Sequence, residues 1–481
     1  MKFRTPHSAL RILLLSLLTT YYSLLSAGEV RWIGAAQDKP QITTITVANT
    51  WAAGDQATVT CNNKSVTVTC GATMDTPAEV AAGLAEALGL THHDASKITA
   101  DMTLNVGGRE LGEFWDFDAT VSGAVITLTS RVAGVPYTVI TSETTAGDGT
   151  VGAPTTASGD EATGKHHWDN AANWHTGVVP TSGDQATFTF GAVDVLYGLA
   201  NSTPDISLYR RNGYTGNIGL PDVNESVNGK SYREYRAKRL VLPITATSGI
   251  QTHEIGERTS SLPARGTTYL DFGQNDGTLQ ELVVYDAPQA NSQTGAGVQF
   301  YGGNDLDLYV YRGSVACGDG LATEGTSLGI LQVKYLTNQA NDAHLHIGIY
   351  GGFEAGAPVT LTGGRLTCAK SFSTSTTAEV HGGRLDFPGT VGTLNIRGGT
   401  VLLRNDSVAT ITNLFIFRGG NLDASQTESV TVTNCTLYEG ATLRDPFGML
   451  TPTNGYDFVG CQPADVTLEV KDSQTWTPSA L

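Results

Sequence analysis

The chain has 481 residues, 56 of them glycine, with a charged fraction of 16% and a formal net charge of −17. Against a usual glycine share of about 7% and a usual charged share of about 25%, this is a turn-rich chain, long enough for more than one domain. The Lys and Arg residues are not clustered, which excludes a nucleic-acid footprint, and the net negative charge serves solubility.

Residues 1–27 have the layout of a signal peptide. Lys2, Arg4 and Arg11 precede an apolar run from Ile12 to Leu18, and Ser26-Ala27-Gly28 supplies small residues for cleavage. Thr19-Thr20-Tyr21-Tyr22 interrupts the run, which is too short for a membrane span. A misplaced start is the alternative, because folded-type sequence begins at Val30-Arg31-Trp32 and no Met lies between Met1 and Met74.

Residues 30–142 are expected to form a small α/β attachment domain: a β-sheet with one helix. Alternation predicts strands at 42–47, 57–61, 65–69, 98–106, 125–130 and 137–142, with Asn62-Asn63-Lys64 as a turn that pairs Cys61 with Val66. Thr76 as N-cap, Pro77 at the first helical position, Glu79 closing a capping box and Gly89 as stop predict a helix over 76–89. Val80, Leu84 and Leu88 mark its buried face. Residues 143–165, rich in Gly, Ala, Thr and Ser, read as a linker.

From 166 to 470 the pattern changes. His166-His167-Trp168, Asn173-Trp174-His175 and a second copy of Gly-Asp-Gln-Ala-Thr, at 183–187 after a first at 54–58, form an opening segment expected to cap a solenoid. His166, His167 and His175 fit capping better than a metal site. A glycine ladder then appears at Gly363-Gly364, Gly382-Gly383, Gly398-Gly399, Gly419-Gly420 and Gly440, with steps of 19, 16, 21 and 20 residues between second glycines. Thr-, Val- and Leu-rich runs without a helical period fill the gaps, as expected of stacked β-coils. Residues 471–481 read as a flexible tail. The six cysteines (Cys61, Cys70, Cys317, Cys368, Cys435, Cys461) lack metal-type spacing and are expected to be buried thiols.

Candidate chemistry is sparse. Asp305-Leu306-Asp307-Leu308-Tyr309-Val310-Tyr311 alternates, which turns Asp305, Asp307, Tyr309 and Tyr311 outward, and Tyr269 and Asp271 share a face in the same way. Acid-plus-tyrosine rows suit a glycan-contact face, because flat rings stack on sugars and carboxylates accept from hydroxyls. A plain solvated face explains them too. Aspartates two apart on a strand stand about 6.5–7 Å from each other, a spacing compatible with an inverting glycosidase but shared by any such strand. His344-Leu345-His346 puts two imidazoles on one face with no third ligand nearby. No cofactor, metal site or nucleophile motif is expected.

Trp168, Asn173-Trp174, Gly177, Pro180 and Gly183-Asp184 resemble the motif that opens parallel β-helices in bacterial surface proteins. From Arg31-Trp32-Ile33-Gly34 through Asn62-Asn63-Lys64-Ser65, Asp194-Val195-Leu196-Tyr197-Gly198, Asn434-Cys435-Thr436-Leu437-Tyr438 and Leu443-Arg444-Asp445-Pro446, the chain is similar to uncharacterised phage and prophage structural proteins with a C-terminal parallel β-helix. The resemblance implies a right-handed, single-stranded, pectin-lyase-like β-helix in a tail-associated or surface-decorating virion component. No catalytic residues carry over. Other virion proteins, cell-surface components or a host glycan are the expected partners, with homotrimerisation, no nucleic acid and no membrane span. A secreted extracellular adhesin, if residues 1–27 are cleaved, and a polysaccharide-degrading β-helix enzyme are the alternatives.

Overall fold

In a computed structural model of the chain, the described residues are 28–62, 64–89, 102–105, 117–219, 225–227, 230–232, 238–245, 251–273, 280–288, 296–302, 306–317, 326–333, 343–347, 351–353 and 356–471. The fold is mainly β, and its largest element is one 24-stranded sheet of sequential parallel strands. Most strands in it pair with the strand two further along the chain, so each turn contributes to two ladders.

The first ladder has thirteen rungs, from Glu29–Arg31 and Gln185–Phe188 through Ser207–Arg210 and Gln251–Ile255 to Gly420–Tyr438 and Tyr456–Val459. Register places residues of one kind above each other. His253, Leu282 and Leu308 and, past the rung Thr326–Val333, Val359, Ala378, Leu394, Leu414, Cys435 and Tyr456 form one inward column. In the second ladder Val298, Val315, Leu345, Leu366, Leu385, Val401, Leu422, Leu443 and Leu468 do the same. Neighbouring rungs lie about 4.8 Å apart, so, apart from His253 at the start of the first, each column is an apolar seam. Most of its members are fully buried, each worth about 1.5–3 kcal/mol relative to exposure.

The glycine ladder supplies the corners that lead into the second ladder. Gly364, Gly383 and Gly399 have φ of +71°, +75° and +72°. A Cβ on Gly383 would lie 2.3 Å from the carbonyl oxygen of Gly364, one rung above. Only glycine fits both demands.

The 30–142 domain is displaced in topology from its expected place. Glu29–Arg31 pairs in parallel with Gln185–Phe188, and Val30 and Trp32 join the core of the stack. The small module is therefore inserted after the first rung. Its entry and exit meet at an antiparallel bridge between Lys39 and Thr163 and an ion pair between Asp38 and Lys165. It consists of two four-stranded sheets, ordered Phe117–Ser122, Val125–Ser130, Ile42–Ala48, Thr150–Val151 and Met102–Asn105, Lys64–Cys70, Gln56–Cys61, Val139–Thr144. The helix Pro77–Gly89 packs Val80, Leu84 and Leu88 into their shared core. Its capping box is formed: Thr76 N–H donates to Glu79 Oε2 at 3.1 Å and Glu79 N–H to Thr76 Oγ1 at 3.3 Å.

Two expectations need correction. The stretch 143–165 is not a bare linker: Thr150–Val151 extends a sheet, Val151 is buried, and Thr155, Asp160 and Thr163 bond to Thr44, Ile42 and Lys39. Small residues are what such close edge packing admits, as with Gly149 against the Trp51 ring. The hairpin pairs Cys61 with Lys64, not Val66, because its turn is one position earlier. Of the expected strand 98–106 only Met102–Asn105 is described. All six cysteines are free, five of them buried. The tail beyond Lys471 and residues 1–27 lie outside the described residues.

Candidate functional site

The two Gly-Asp-Gln-Ala-Thr copies build the same turn. Gly54 and Gly183 have φ of +93° and +85°. The next aspartate accepts from the backbone three residues back, Asp55 from Ala52 and Asp184 from Thr181, both at 2.8 Å, and launches a strand. The second copy opens the rung Gln185–Phe188, above which an aromatic plug closes the stack. Trp174 meets Trp32 and Trp168 edge-on at 5.1 and 4.8 Å, and Phe188 lies 5.7 Å from Trp32. Asn173 locks the plug: its Nδ2 donates to the carbonyls of Gly164 and His167, and its Oδ1 accepts from Ala36 N–H. The histidines are held by backbone: His166 Nδ1 at Asp194 O, His167 Nε2 at Gly134 O, and His175 Nδ1 accepting from Arg31 N–H, each at 2.8 Å. No cluster of His, Cys, Asp and Glu fit for a metal occurs among the described residues.

The six residues expected on a glycan-contact face divide between the ladders. Tyr269 and Asp271 stand on the second ladder, in Thr268–Asp271. Tyr269 is buried, at 4% exposure, and the backbone of Gly219 lies close against its Cβ, so close that a side chain at 219 would collide with it. The Asp271 carboxylate accepts from Gly273 N–H at 2.8 Å, closing a turn. Asp305 lies outside the described residues. Asp307, Tyr309 and Tyr311 do share one region of the first ladder, with Leu306, Leu308 and Val310 fully buried behind them.

Register adds residues that the sequence pattern did not single out. Tyr209, Glu254, Val283 and Tyr309 align on successive rungs, beside Thr252, Glu281 and Asp307. The Tyr285 and Tyr311 rings stack at 5.3 Å, with Arg258 5.0 and 5.6 Å from their centroids. Their faces are thus engaged with each other and with Arg258, which fastens rungs together and leaves no flat platform. Tyr209, beside Arg211, and Tyr309 are half-buried. Burial and then the Asp307 and Glu281 carboxylates push the Tyr309 hydroxyl above its ordinary pKa, and burial followed by Glu254 does so for Tyr209. These phenols stay protonated donors over the physiological range. Asp307, expected to face outward, is buried at 9% exposure, so the outer face that remains is a strip of half-buried Tyr209, Tyr309, Glu254 and Glu281. Its exposed groups are phenol donors and carboxylate acceptors.

No family model, curated protein or solved structure matches this chain.

Behind this face the stack interior holds a few polar side chains among the aliphatic ones. Arg210 points inward and donates to the carbonyls of Thr267, Arg265 and Gly216 and to Thr268 Oγ1. Burial lowers its pKa to about 10, with Tyr214 and Asp194 pulling weakly the other way. His253, fully buried, accepts from Leu208 N–H through Nδ1, leaving its protonated Nε2 without a partner, and burial lowers its pKa to about 3. A cavity of about 10 Å³ beside Arg210, Asn212 and Asp286 has room for about one water. The hydrogen-bonding role of Nδ1 fixes the tautomer, so His253 is a neutral core residue and not a catalytic base. Among the described residues no helix is long and apolar enough to cross a membrane.

Proposed function

We propose that the chain is a non-enzymatic structural protein of a phage or prophage particle, tail- or surface-associated, built on a right-handed, pectin-lyase-like parallel β-helix. The observation that carries this reading is the uninterrupted thirteen-rung ladder closed at its start by the tryptophan plug. At about 4.8 Å per step, its twelve steps make a rod of about 58 Å whose backbone hydrogen bonds run along its length, suited to bearing load. The inserted module, held by adjacent entry and exit strands, is placed to attach that rod. The strip of Tyr209, Glu254, Glu281 and Tyr309 supplies a weak host-glycan contact.

Mass spectrometry of particles purified from the source tests this. The chain is expected in stoichiometric amount in the particle fraction; its presence only as a secreted protein in the particle-free medium would overturn the reading in favour of an adhesin. Release of reducing sugar from a glycan panel by the purified protein would instead overturn the non-enzymatic assignment.

A further inference from the structure

The outer face of the second ladder carries a reversal of the chain's charge balance. Arg365 and Arg384 are in register on neighbouring rungs, and Arg404 reaches the same place from the next. All three converge on one carboxylate: Arg365 Nη2 lies 2.8 Å and Arg404 Nη2 3.7 Å from Asp386 Oδ2, and Arg384 Nε lies 2.7 Å from Oδ1. Asp386 is 1% exposed, whereas the arginine side chains are 39%, 42% and 44% exposed.

At the other arginine ion pairs described on the stack, arginine is matched or outnumbered by acid. Arg211 pairs with Glu254, Arg312 with Asp286, Arg397 with Glu379, and Arg444 lies between Asp423 and Glu469. In a chain with 46 acidic and 29 basic residues, an excess of two arginines at one point runs against the background. Two hydrogen bonds engage the three guanidiniums, and Nε of Arg365 is covered without a partner. Arg404, at 3.7 Å, is beyond hydrogen-bond distance from Asp386. Most of their N–H donors are uncommitted, and planar guanidiniums match oxyanions in bidentate fashion.

We propose that Arg365, Arg384 and Arg404 form a binding site for a single oxyanion, carboxylate or phosphate, borne on a sugar. Convergence on one point selects a compact anion over an extended acidic peptide. Asp386 acts as a positioning residue that holds the forks side by side. The ligand's source in a host glycan rests on the reading of the chain as a particle protein; the oxyanion chemistry does not.

The test is calorimetric titration of the full chain with glucuronate, glucose 6-phosphate, inorganic phosphate and glucose at low salt. The charged ligands are expected to bind, with affinity falling as salt rises, and glucose is not. Glucuronate binding without glucose 6-phosphate binding assigns carboxylate; the reverse assigns phosphate. Arg404→Gln removes an exposed side chain and leaves both short bonds to Asp386 in place, so the fold survives. It is expected to weaken binding about tenfold, the effect of one lost charge-assisted contact. No anion binding, equal binding by Arg404→Gln, or equal binding of glucose would each overturn the site. Binding of inorganic phosphate with exclusion of both sugar anions would overturn the sugar-borne ligand. Particle mass spectrometry reads out the structural role separately, so either conclusion can fail alone.

Discussion

The C-terminal rungs from Val359–Leu361 to Tyr456–Val459 and the N-terminal rungs from Gln185–Phe188 to Gln280–Val284 share one backbone geometry but have different interiors. The C-terminal columns are almost wholly aliphatic, Leu394 above Leu414 and Leu385 above Val401, with glycine at the corners. The N-terminal rungs enclose Arg210, Gln251, His253, Thr268 and Gln280, and rely on a tryptophan plug. Stability therefore has a different source at each end. Apolar seams let every C-terminal rung support the next, whereas the first rungs depend on a few large side chains and on hydrogen-bonded polar groups.

The two ends should separate most visibly when the plug is removed. Trp174→Ala, at 1% exposure, is expected to cost about 3–5 kcal/mol. Hydrogen exchange should then show loss of protection at 185–210 with 391–443 still protected. Uniform loss along the stack would mean that the two ends are not independent. At the other end, Gly383→Val forces a β-branched residue to φ +75° with its Cβ against the Gly364 carbonyl. A cost of about 3 kcal/mol is expected, read as a drop in the urea midpoint.

His253 distinguishes the interiors by pH. Its folded pKa, lowered to about 3, lies below the unfolded value near 6.5, so only the unfolded chain takes up the proton between them. Stability from this group is therefore present above about pH 6.5 and falls by up to about 1.4 kcal/mol per unit as pH drops toward 3. His253→Leu loses the acceptor for Leu208 N–H and is less stable at pH 7, yet has a flatter decline between pH 6.5 and 5 in denaturant titrations. An unchanged slope would remove His253 as its source. The smallest effect belongs to the module: Thr76→Ala opens the capping box and costs about 1 kcal/mol in its melting transition.

The same contrast explains how much could be read in advance. The ladder from Gly364 to Gly440 was legible because each rung needs one positive-φ glycine at a nearly constant spacing. The helix was legible because Thr76, Pro77, Glu79 and Gly89 are local signals. The strip around Tyr209 and Glu254 was not. These residues are 45 apart in sequence and one rung apart in space, and between them Glu225–Val227 and Lys230–Tyr232 pair with each other in a separate sheet. Tyr269 has the alternation of an outward residue, and alternation carries no information about the Gly219 backbone that lies against it in the fold. The first rung was hidden for a related reason: Val30 meets Ala186 across the whole inserted module.

The point of insertion decides whether the stack is continuous. Because Lys39 and Thr163 bridge directly, residues 40–162 can be replaced by a short glycine linker. Hydrogen exchange on the excised protein is the decisive measurement. If one stack runs from Glu29 to Val470, residues 29–32 and 185–188 stay protected together and unfolding remains cooperative. Loss of protection in both segments, with the remaining rungs intact, would show that Glu29–Arg31 belongs to the module and that the stack does not begin there.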